Sequence, residues 1–381
     1  MPWVKIADAT RSNSRYIYST EEYITEAGVP KSRTVTPGTL IVSNSATPGL
    51  PKIMGITGCV HDGWLIINDF NGVLKEYMYY KFIDIRRVLR NQANGSVFMN
   101  LKTDIVKDFP IKVPSIREQE GIVAFLENID AIIECNQKIC ENLEAQAQSL
   151  FKHWFIDFAP FLDKPSGKAE RKNGKFVESE LGMIPEGWRV GKAEDFYTIN
   201  IGKTPPRAER QWFSESKERN KIWISISDMG GCGAFISDSK EYLTPEAQSK
   251  FNVVMVPVGT VLLSFKLTLG RVAIADADLT TNEAIARFIL PSSDYREYTY
   301  LYLKQFKYGS LGSTSSIATA VNSKIIKAMP FLMPSKEVIK DFSNIAGKLF
   351  DEIKNLNQES TRLSTLRDTL LPKLMSGQIK V

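Results

Sequence analysis

The sequence predicts an α+β protein with an internal repeat, in which each of two copies has a β-rich domain followed by a long helix. Three observations support this class. Blocks of sequence recur at an offset of about 220 residues, both copies contain short apolar runs bounded by turn residues, and both end in an apolar repeat of helical spacing. A chain of 381 residues is also too long for one ordinary domain.

The internal repeat is carried by matched segments that keep one register along the chain. The matched segments include PWVKIADA (2–9) with KIWISISDM (221–229), PGTLIVSNSATPG (37–49) with VGTVLLSFKLTLG (258–270), and KDFPIKVPS (107–115) with KAMPFLMPS (327–335). Because chance does not hold a register over several blocks, we expect the two copies to share one fold.

A long helix is predicted after each β-rich segment. Each helix follows a Pro-Ser pair, in which Ser115 is a good N-cap and Glu118 completes a capping box. Apolar residues then recur at three- and four-residue steps, which favours packing of one helix on the other over packing of each on its own domain. The predicted helix–helix positions are Ile122, Ile129, Leu143, Leu150, Phe342, Leu349, Leu356, Leu363 and Leu370.

These patterns predict five consecutive segments. The segments are a first β-rich domain (1–113), a first long helix (114–158), a polar linker (159–183), a second β-rich domain (184–333), and a second long helix with a short tail (334–381).

The stretch WISISDMGGCG (223–233) resembles a strand that enters a phosphate-binding glycine loop. Its counterpart in the first copy, DATRSNSRYI (8–17), contains no glycine. A phosphate cradle depends on glycine, whereas a turn between strands also accepts Ser and Asn. We therefore predict a turn here and not a cofactor site.

No signature of catalysis or of a metal site is visible. The base-gripping loop of a DNA amino-methyltransferase has its nearest match in Thr204-Pro205-Pro206-Arg207, which lacks the polar first residue and the aromatic last one. The chain has two histidines and four scattered cysteines, which predicts neither a metal cluster nor a disulfide framework. No signal peptide or membrane span is indicated, so a cytoplasmic protein is expected.

Several motifs resemble the specificity subunit of type I restriction-modification enzymes. They are PSIREQEGI (114–122), HWFIDFAP (153–160), IPEGW (184–188), INIGKTPPR (199–207) and LLPKLMSGQIKV (370–381). The resemblance covers essentially the whole chain. It implies two target-recognition domains, each followed by a conserved helix, with the helices packed as an antiparallel coiled coil and related by a pseudo-twofold.

The resemblance also implies a non-catalytic subunit that binds a bipartite, asymmetric site on double-stranded DNA. The helices would set the spacing of the two half-sites and dock methylation subunits, two of which are expected, together with restriction subunits. S-adenosylmethionine, ATP and Mg²⁺ would be bound by those partners and not by this chain. A helix of about 38 residues spans roughly 57 Å, which suits such a spacer.

Candidate DNA contacts follow from side-chain chemistry in predicted turns, because Arg, Lys and Asn contact base edges and phosphates. In the first domain the candidates are Arg11, Asn13, Arg15, Lys31 and Arg33, and in the second they are Lys203, Arg207, Arg210 and Lys266. Each of these could instead be a solvated surface charge.

The two copies differ at their beginnings. The second copy carries INIGKTPPR ahead of Trp223, whereas the first starts two residues before Trp3. We therefore expect the first domain to lack the family's opening strand and GKTP-like loop, either because the start codon lies upstream or because the allele is truncated or recombined.

Four alternatives remain open from the sequence. The chain could be the specificity subunit, or half of it, in a related multisubunit type II methyltransferase-nuclease. It could be an inactive truncated or recombined allele. The chain could also be an enzyme with an unrecognised active site, or a coiled-coil scaffold that makes no contact with DNA.

Overall fold

The computed structural model describes residues 1–11, 14–92, 101–162, 175–311 and 321–381. It divides into two compact units, the first assembled from two stretches of chain and the second from one. Unit 1 comprises Met1–Asn136 and Glu359–Val381, and unit 2 comprises Gln137–Gln358. Each long helix therefore contributes one half to each unit.

Within the described residues, the β-rich part of unit 1 contains eight strands and three helices before the first long helix. The strands are β1 (Pro2–Val4), β2 (Tyr16–Ile17), β3 (Glu22–Tyr23), β4 (Arg33–Val35), β5 (Leu40–Ser43), β6 (Pro51–Met54), β7 (Gly58–Val60) and β8 (Trp64–Ile67). The helices are α1 (Ile6–Arg11), α2 (Lys75–Gln92), α3 (Thr103–Lys107) and the long α4 (Ile116–Phe155), with a 3₁₀ turn at Glu26–Lys31.

The rest of the described chain contains thirteen strands and six helices. The strands are β9 (Phe176–Ser179), β10 (Gly182–Pro185), β11 (Arg189–Lys192), β12 (Thr198–Ile201), β13 (Phe213–Ser214), β14 (Lys221–Ile224), β15 (Phe235–Ile236), β16 (Tyr242–Leu243), β17 (Val261–Ser264), β18 (Val272–Ala275), β19 (Thr280–Thr281), β20 (Ile285–Ile289) and β21 (Pro330–Met333). The helices are α5 (Ala193–Phe196), α6 (Ile226–Met229), α7 (Pro245–Lys250), α8 (Arg296–Gln305), α9 (Ser323–Lys327) and the long α10 (Lys336–Met375). Short 3₁₀ turns lie at Ala159–Phe161, Arg210–Trp212, Ser293–Tyr295 and Tyr308–Ser310.

The predicted α+β class and internal repeat are confirmed by the sheets. Unit 1 has two four-stranded sheets, ordered β3-β1-β7-β4 and β2-β6-β5-β8. Unit 2 has sheets ordered β13-β16-β14-β19 and β12-β20-β17-β18-β15, together with the pairs β9–β10 and β11–β21. The parallel pair β1–β7 sets Trp3 opposite Cys59, and its equivalent β14–β19 sets Trp223 opposite Thr280.

The two copies also share a parallel pair in the second sheet. Tyr16 of β2 pairs with Ile53 of β6, and Phe235 of β15 pairs with Ile274 of β18. The strands β6 and β18 are buried along their whole length, as are their antiparallel neighbours β5 and β17. The same order of parallel and antiparallel pairs therefore recurs about 220 residues along the chain.

Both long helices are present, and the first begins with the predicted cap. The Ser115 amide donates to the Glu118 carboxylate at 3.0 Å, and the Glu118 amide donates to the Ser115 hydroxyl at 3.4 Å. A hydrogen bond from the Ser115 hydroxyl to the Glu118 carboxylate at 2.8 Å, together with the one from the Ser115 amide, lowers the pKa of Glu118, because both favour the charged carboxylate. The capping box therefore supplies partners to amides that the helix itself leaves unpaired.

Within unit 1 the two helix halves run antiparallel. Asp130 of α4 accepts a hydrogen bond from Arg367 of α10 at 2.7 Å, and Asn136 of α4 donates to Glu359 at 2.8 Å. Residue numbers thus rise along one helix as they fall along the other. Leu126 and Leu371 lie in the same buried cluster.

The two helix halves of unit 2 also run antiparallel. The thiol of Cys140 on α4 lies 3.7 Å from the Asn357 side-chain oxygen on α10. Fifteen residues further on, the ring of Phe155 packs against Phe342 with centroids 4.8 Å apart. The helices therefore contact each other antiparallel inside each unit. The pseudo-twofold between the copies stays a prediction.

The predicted helix–helix positions differ in burial. Ile122, Ile129 and Phe342 are buried, whereas the six leucines among the nine positions are partly buried. Other apolar residues at helical spacing are 40–47% exposed; these are Ile132, Ile139, Ile345 and Leu366. Part of the apolar surface of each long helix therefore lies outside the core of its unit.

The segment predicted as a linker (159–183) contains regular secondary structure. Phe176–Ser179 forms β9 and pairs antiparallel with β10, while residues 163–174 lie outside the described residues. The indole of Trp188 packs against Phe155, Phe158 and Phe161, with ring centroids 5.2–5.7 Å apart. These aromatic contacts attach the hairpin region to the core of unit 2. Among the described residues, no helix is long and apolar enough to cross a membrane.

A buried charge pair links the two helix halves of unit 1. The Asp130 side chain is 8% exposed, and it also accepts a hydrogen bond from the Tyr80 hydroxyl at 2.6 Å. Burial and the adjacent carboxylate raise the pKa of Tyr80 well above its ordinary value, so its hydroxyl remains a donor.

We expect Arg367→Ala to lower the free energy of unfolding by about 3 kcal/mol, because it leaves the Asp130 carboxylate buried without its cation. Urea unfolding of the variant measures this loss. Arg117→Ala, which removes an exposed arginine from α4, is the control and should have little effect. Equal losses for the two variants would contradict the assigned role of the pair.

Candidate nucleic-acid interface

Each unit contains a hairpin whose two ends are fixed by one serine. The hairpin of unit 1 (43–50) joins β5 to β6, and the hairpin of unit 2 (264–271) joins β17 to β18. The Ser43 hydroxyl donates to the Thr47 carbonyl at 2.5 Å and accepts from the Leu50 amide at 3.0 Å. Ser264 makes the equivalent bonds at 2.6 and 3.0 Å. We call these two loops the serine-anchored hairpins.

The tips of the serine-anchored hairpins share an uncommon backbone. Ala46 and Leu267 occupy the left-handed region, with φ of 55° and 59°. The following threonine amide donates to the carbonyl two residues earlier at 2.6 Å in both copies, which closes a γ-turn. A bulky residue at positive φ is strained and persists only where surrounding contacts enforce it. The serine bonds supply those contacts.

A second turn packs beside each hairpin. The Asn44 amide donates to the Gly63 carbonyl, and the Phe265 amide donates to the Ala284 carbonyl, both at 2.9 Å. The turn of unit 1 (61–63) is closed by the His61 ring nitrogen, which accepts from the Gly63 amide at 2.8 Å. The turn of unit 2 (282–284) is closed by the Asn282 side chain instead. Different side chains thus build the same backbone.

In unit 2 the loop that follows β12 joins the same surface. The Gly202 amide donates to the Ile285 carbonyl at 3.1 Å, and the Lys203 amide donates to the Thr281 carbonyl at 2.8 Å. Lys203 and Lys266 are both exposed. Backbone hydrogen bonds therefore join the Lys203 loop to the residues that flank the turn 282–284, and Phe265, which precedes Lys266, to the turn itself.

Arg207 occupies a different environment from the two lysines. Its guanidinium lies over the rings of Phe213 and Trp223, at 4.4 and 4.5 Å from the centroids, and pairs with Glu241 at 2.5 Å. The side chain is 51% exposed. Cation–π stacking and the ion pair give Arg207 a structural role that its place in a turn did not indicate.

The arginines predicted in unit 1 are also held by protein groups. Arg33 donates to the carbonyls of His61 and Trp64 at 2.6 and 2.7 Å, so it supports the turn 61–63. Arg15 pairs with Glu127 on α4 at 2.6 Å and is 13% exposed. Arg11 contacts Glu21 at the surface.

Three further residues predicted to contact DNA are not assigned a role in holding the fold. Lys31 ends the 3₁₀ turn of unit 1, and Arg210 begins the 3₁₀ turn Arg210–Trp212 of unit 2; both are exposed. Asn13 lies outside the described residues. All nine candidate contacts stay predictions as binders of DNA.

In the glycine-rich stretch 223–233, a short helix separates the strand from the glycines, whereas a direct turn was predicted. After β14 the chain forms the one-turn helix α6, capped by Ser225 and Asp228, before it reaches Gly230. A side chain at Gly230 would lie 2.4 Å from the Arg271 guanidinium, which donates to the Ile226 carbonyl at 2.6 Å. Gly230 thus makes room for the side chain of Arg271.

In the same stretch, burial raises the pKa of the Cys232 thiol to about 11, so the thiol is protonated at neutral pH.

Sequence reasoning missed two residues of the hairpin tips. Leu267 is fully exposed, and Asn44 donates to the Asp62 carbonyl at 2.9 Å while its side-chain oxygen has no partner among the described residues. The available signal was the alignment of SNSATPG with SFKLTLG, in which the tips diverge inside a matched frame. In the described ranges no group of three or more His, Cys, Asp or Glu is placed to hold a metal ion.

Gly202 supports the unit 2 surface through a close backbone approach. A Cβ at this position would lie 2.0 Å from the Asn282 carbonyl oxygen and 2.3 Å from that of Thr281. We expect Gly202→Ala to lower the free energy of unfolding by about 1–3 kcal/mol and to weaken DNA binding, because the loop must move off the turn. Gly231→Ala is the control, since nothing lies within 4 Å of its Cβ position. Urea unfolding and DNA titration of both variants measure the difference, and equal behaviour would refute it.

Comparison with known proteins agrees with this architecture. The family model described as "Type I restriction modification DNA specificity domain" matches residues 1–145 and 185–363. The chain is 28% identical over 400 residues to the type I restriction enzyme MjaIX specificity subunit of Methanocaldococcus jannaschii, covering 100% of this chain and 87% of the relative. It is 25% identical over 365 residues to the HindI specificity subunit of Haemophilus influenzae, covering 81% and 78%.

A solved structure of a type I restriction-modification S subunit from M. genitalium covers 95% of this chain and 88% of its own, with 14% identity and a TM-score of 0.44. The family match spans both units and includes both serine-anchored hairpins. The chain therefore belongs to the type I restriction-modification DNA specificity family, as a non-catalytic subunit that specifies the DNA sequence.

Proposed function

We propose that the chain recognises a bipartite, asymmetric target on double-stranded DNA, one half with each unit. The observation that carries this proposal is the pair of serine-anchored hairpins. Their backbones match hydrogen bond for hydrogen bond, but their tips differ, with Asn44, Ser45 and Ala46 in unit 1 and Phe265, Lys266 and Leu267 in unit 2. Two similar frames with different side chains suit two half-targets of different sequence.

Charge supports the assignment of DNA to the surface of unit 2. Lys203 is bonded to Thr281 beside the turn 282–284, Lys266 follows Phe265, which is bonded to that turn, and no ion pair engages either lysine within the described part of the chain. Exposed cations of this kind neutralise phosphates and release counterions. The exposed carboxylate of Glu283 lies on the same turn and would disfavour a phosphate directly beside it.

Partner subunits are part of the proposal. As in the type I restriction enzymes named among its relatives, we propose that the chain assembles with methylation and restriction subunits, with two methylation subunits expected. The exposed apolar residues of the long helices, among them Ile132 and Ile345, are suited to such contacts. S-adenosylmethionine, ATP and Mg²⁺ would be bound by these partners.

The recognition part of unit 2 enters and leaves through one strand pair. Arg189 of β11 lies opposite Met333 of β21, and Lys192 lies opposite Pro330. The two ends of the segment 187–333 are therefore adjacent in the fold, so an exchanged segment can keep its junctions.

We expect exchange of residues 187–333 for the matching segment of another family member to change one half of the DNA target and to keep the other. The chimera and the parent chain, each expressed with the same methylation subunit, are compared by genome-wide mapping of methylated adenines. Retention of the complete original target by an active chimera would refute the division of recognition between the units.

We expect the double substitution Lys203→Ala and Lys266→Ala to weaken DNA binding at low salt and to reduce the slope of log affinity against log salt by about 1–2, since each lost phosphate contact removes about one released counterion. Titrations at several salt concentrations measure the slope. Lys217→Ala is the matched control, because Lys217 is exposed but already paired with Asp238 at 3.0 Å. An unchanged slope in the double variant would remove both lysines from the interface.

A further inference from the structure

Leu267 combines two features that are seldom found together. Its side chain is fully exposed, and its backbone lies at a φ of 59°. A single exposed leucine is ordinary on a protein surface, but a leucine held at positive φ on the apex of a hairpin is not. Glycine or asparagine would occupy this position with less strain, and both would remove the exposed apolar surface.

The strain at Leu267 is enforced by the surrounding hairpin. The Thr268 amide bonds to the Lys266 carbonyl at 2.6 Å, and Ser264 bonds to both the Thr268 carbonyl and the Arg271 amide. The other end of the tip is fixed through the Phe265 amide on the Ala284 carbonyl. The hairpin therefore presents the leucine side chain to solvent on a backbone with little freedom, which lowers the entropic cost of a contact made there.

The neighbourhood of Leu267 indicates the kind of partner. Lys266 precedes it, and Lys203 is tied to the turn on which the hairpin packs. An apolar tip beside a cation suits the DNA major groove, where phosphates border a row of base edges and where the C5-methyl group of thymine is the apolar feature.

The first copy decides between two possible apolar contacts with DNA. A wedge that separates stacked bases requires a large side chain, whereas a contact with a thymine methyl group can be made by alanine or by a larger residue. The equivalent apex of unit 1 is Ala46, at a φ of 55°. If the two hairpins share one role, only the methyl contact is available to both residues.

We propose that Leu267 is a specificity-determining residue that contacts the C5-methyl group of a thymine in the half-target bound by unit 2. This inference rests on the proposed function and names a residue and a chemical group within it. The contact contributes discrimination between thymine and bases that lack the methyl group at one position.

The test uses the full chain in complex with its methylation subunit and a duplex that contains the mapped target. Each thymine of the unit 2 half-target is replaced in turn by deoxyuridine, which removes only the methyl group. For the parent chain, one replacement should weaken binding about four-fold, the effect of losing one buried methyl group. For Leu267→Ala, binding of the thymine duplex should weaken by a similar factor, and the same deoxyuridine replacement should have a smaller effect than in the parent chain, because alanine offers less apolar surface to the methyl group.

Three variants make the test specific. Leu267→Ala should fold, because Ala46 occupies the same backbone in unit 1. Leu267→Met keeps an apolar side chain and should restore sensitivity to the methyl group. Val258→Ala removes an exposed apolar side chain of the same unit and should leave binding and sensitivity unchanged.

The outcomes separate this inference from the proposed function. If the parent complex shows no preference for the target, the proposed function itself fails. If the parent complex is specific but Leu267→Ala keeps its full sensitivity to every thymine methyl group, the inference alone is wrong. A uniform loss of affinity by Leu267→Ala, with the same sensitivity to deoxyuridine as the parent, would show a wedge or a general contact in place of the methyl contact.

Discussion

The antiparallel contact between the two long helices is the constraint on which both units depend. The core of unit 1 contains Leu126 from α4 and Leu371 from α10, residues that are separated by almost the whole second copy. The core of unit 2 likewise contains Phe155 and Phe342. Neither β-rich domain therefore buries its apolar surface with its own stretch of chain alone, and the helix contact must form before either core is complete.

Polar groups within this contact contribute to register. Asp130, Asn136 and Arg367 are hydrogen-bonded across the helix halves of unit 1, where apolar residues would pack without such directional demands. A buried ion pair is weak evidence of added stability, but its partners cannot slide past each other without leaving a charge unpaired. The arrangement therefore favours one alignment of the two helices, and with it one set of residues that complete each core.

The sequence predicted the repeated architecture because its causes are local or periodic. The Ser115 cap, the long helices and the duplicated strands all follow from residue type and spacing. The one-turn helix α6 and the β9–β10 hairpin were missed, because they are short and depend on capping and aromatic contacts. The candidate DNA contacts could be predicted only as charges in turns, and charge does not show which groups the folded chain engages. Arg33 and Arg207 illustrate this limit, since carbonyls and aromatic rings that engage them come from distant strands.

The division between arginine and lysine at the candidate interface has a physical basis. A guanidinium is planar, forms several directed hydrogen bonds and stacks on rings, so Arg33 and Arg207 can brace a loop. An ammonium on a flexible stem is a compact, hydrated charge, so Lys203 and Lys266 can follow a phosphate without fixing the loop. The frame is then held by arginine, serine and backbone, while the residues at the apex remain free to differ. Because Ser43 and Ser264 hold both hairpins through main-chain groups, the chemistry at Ala46 and Leu267 can change without altering the frame. The proposed recognition of two different half-targets with one fold requires that separation.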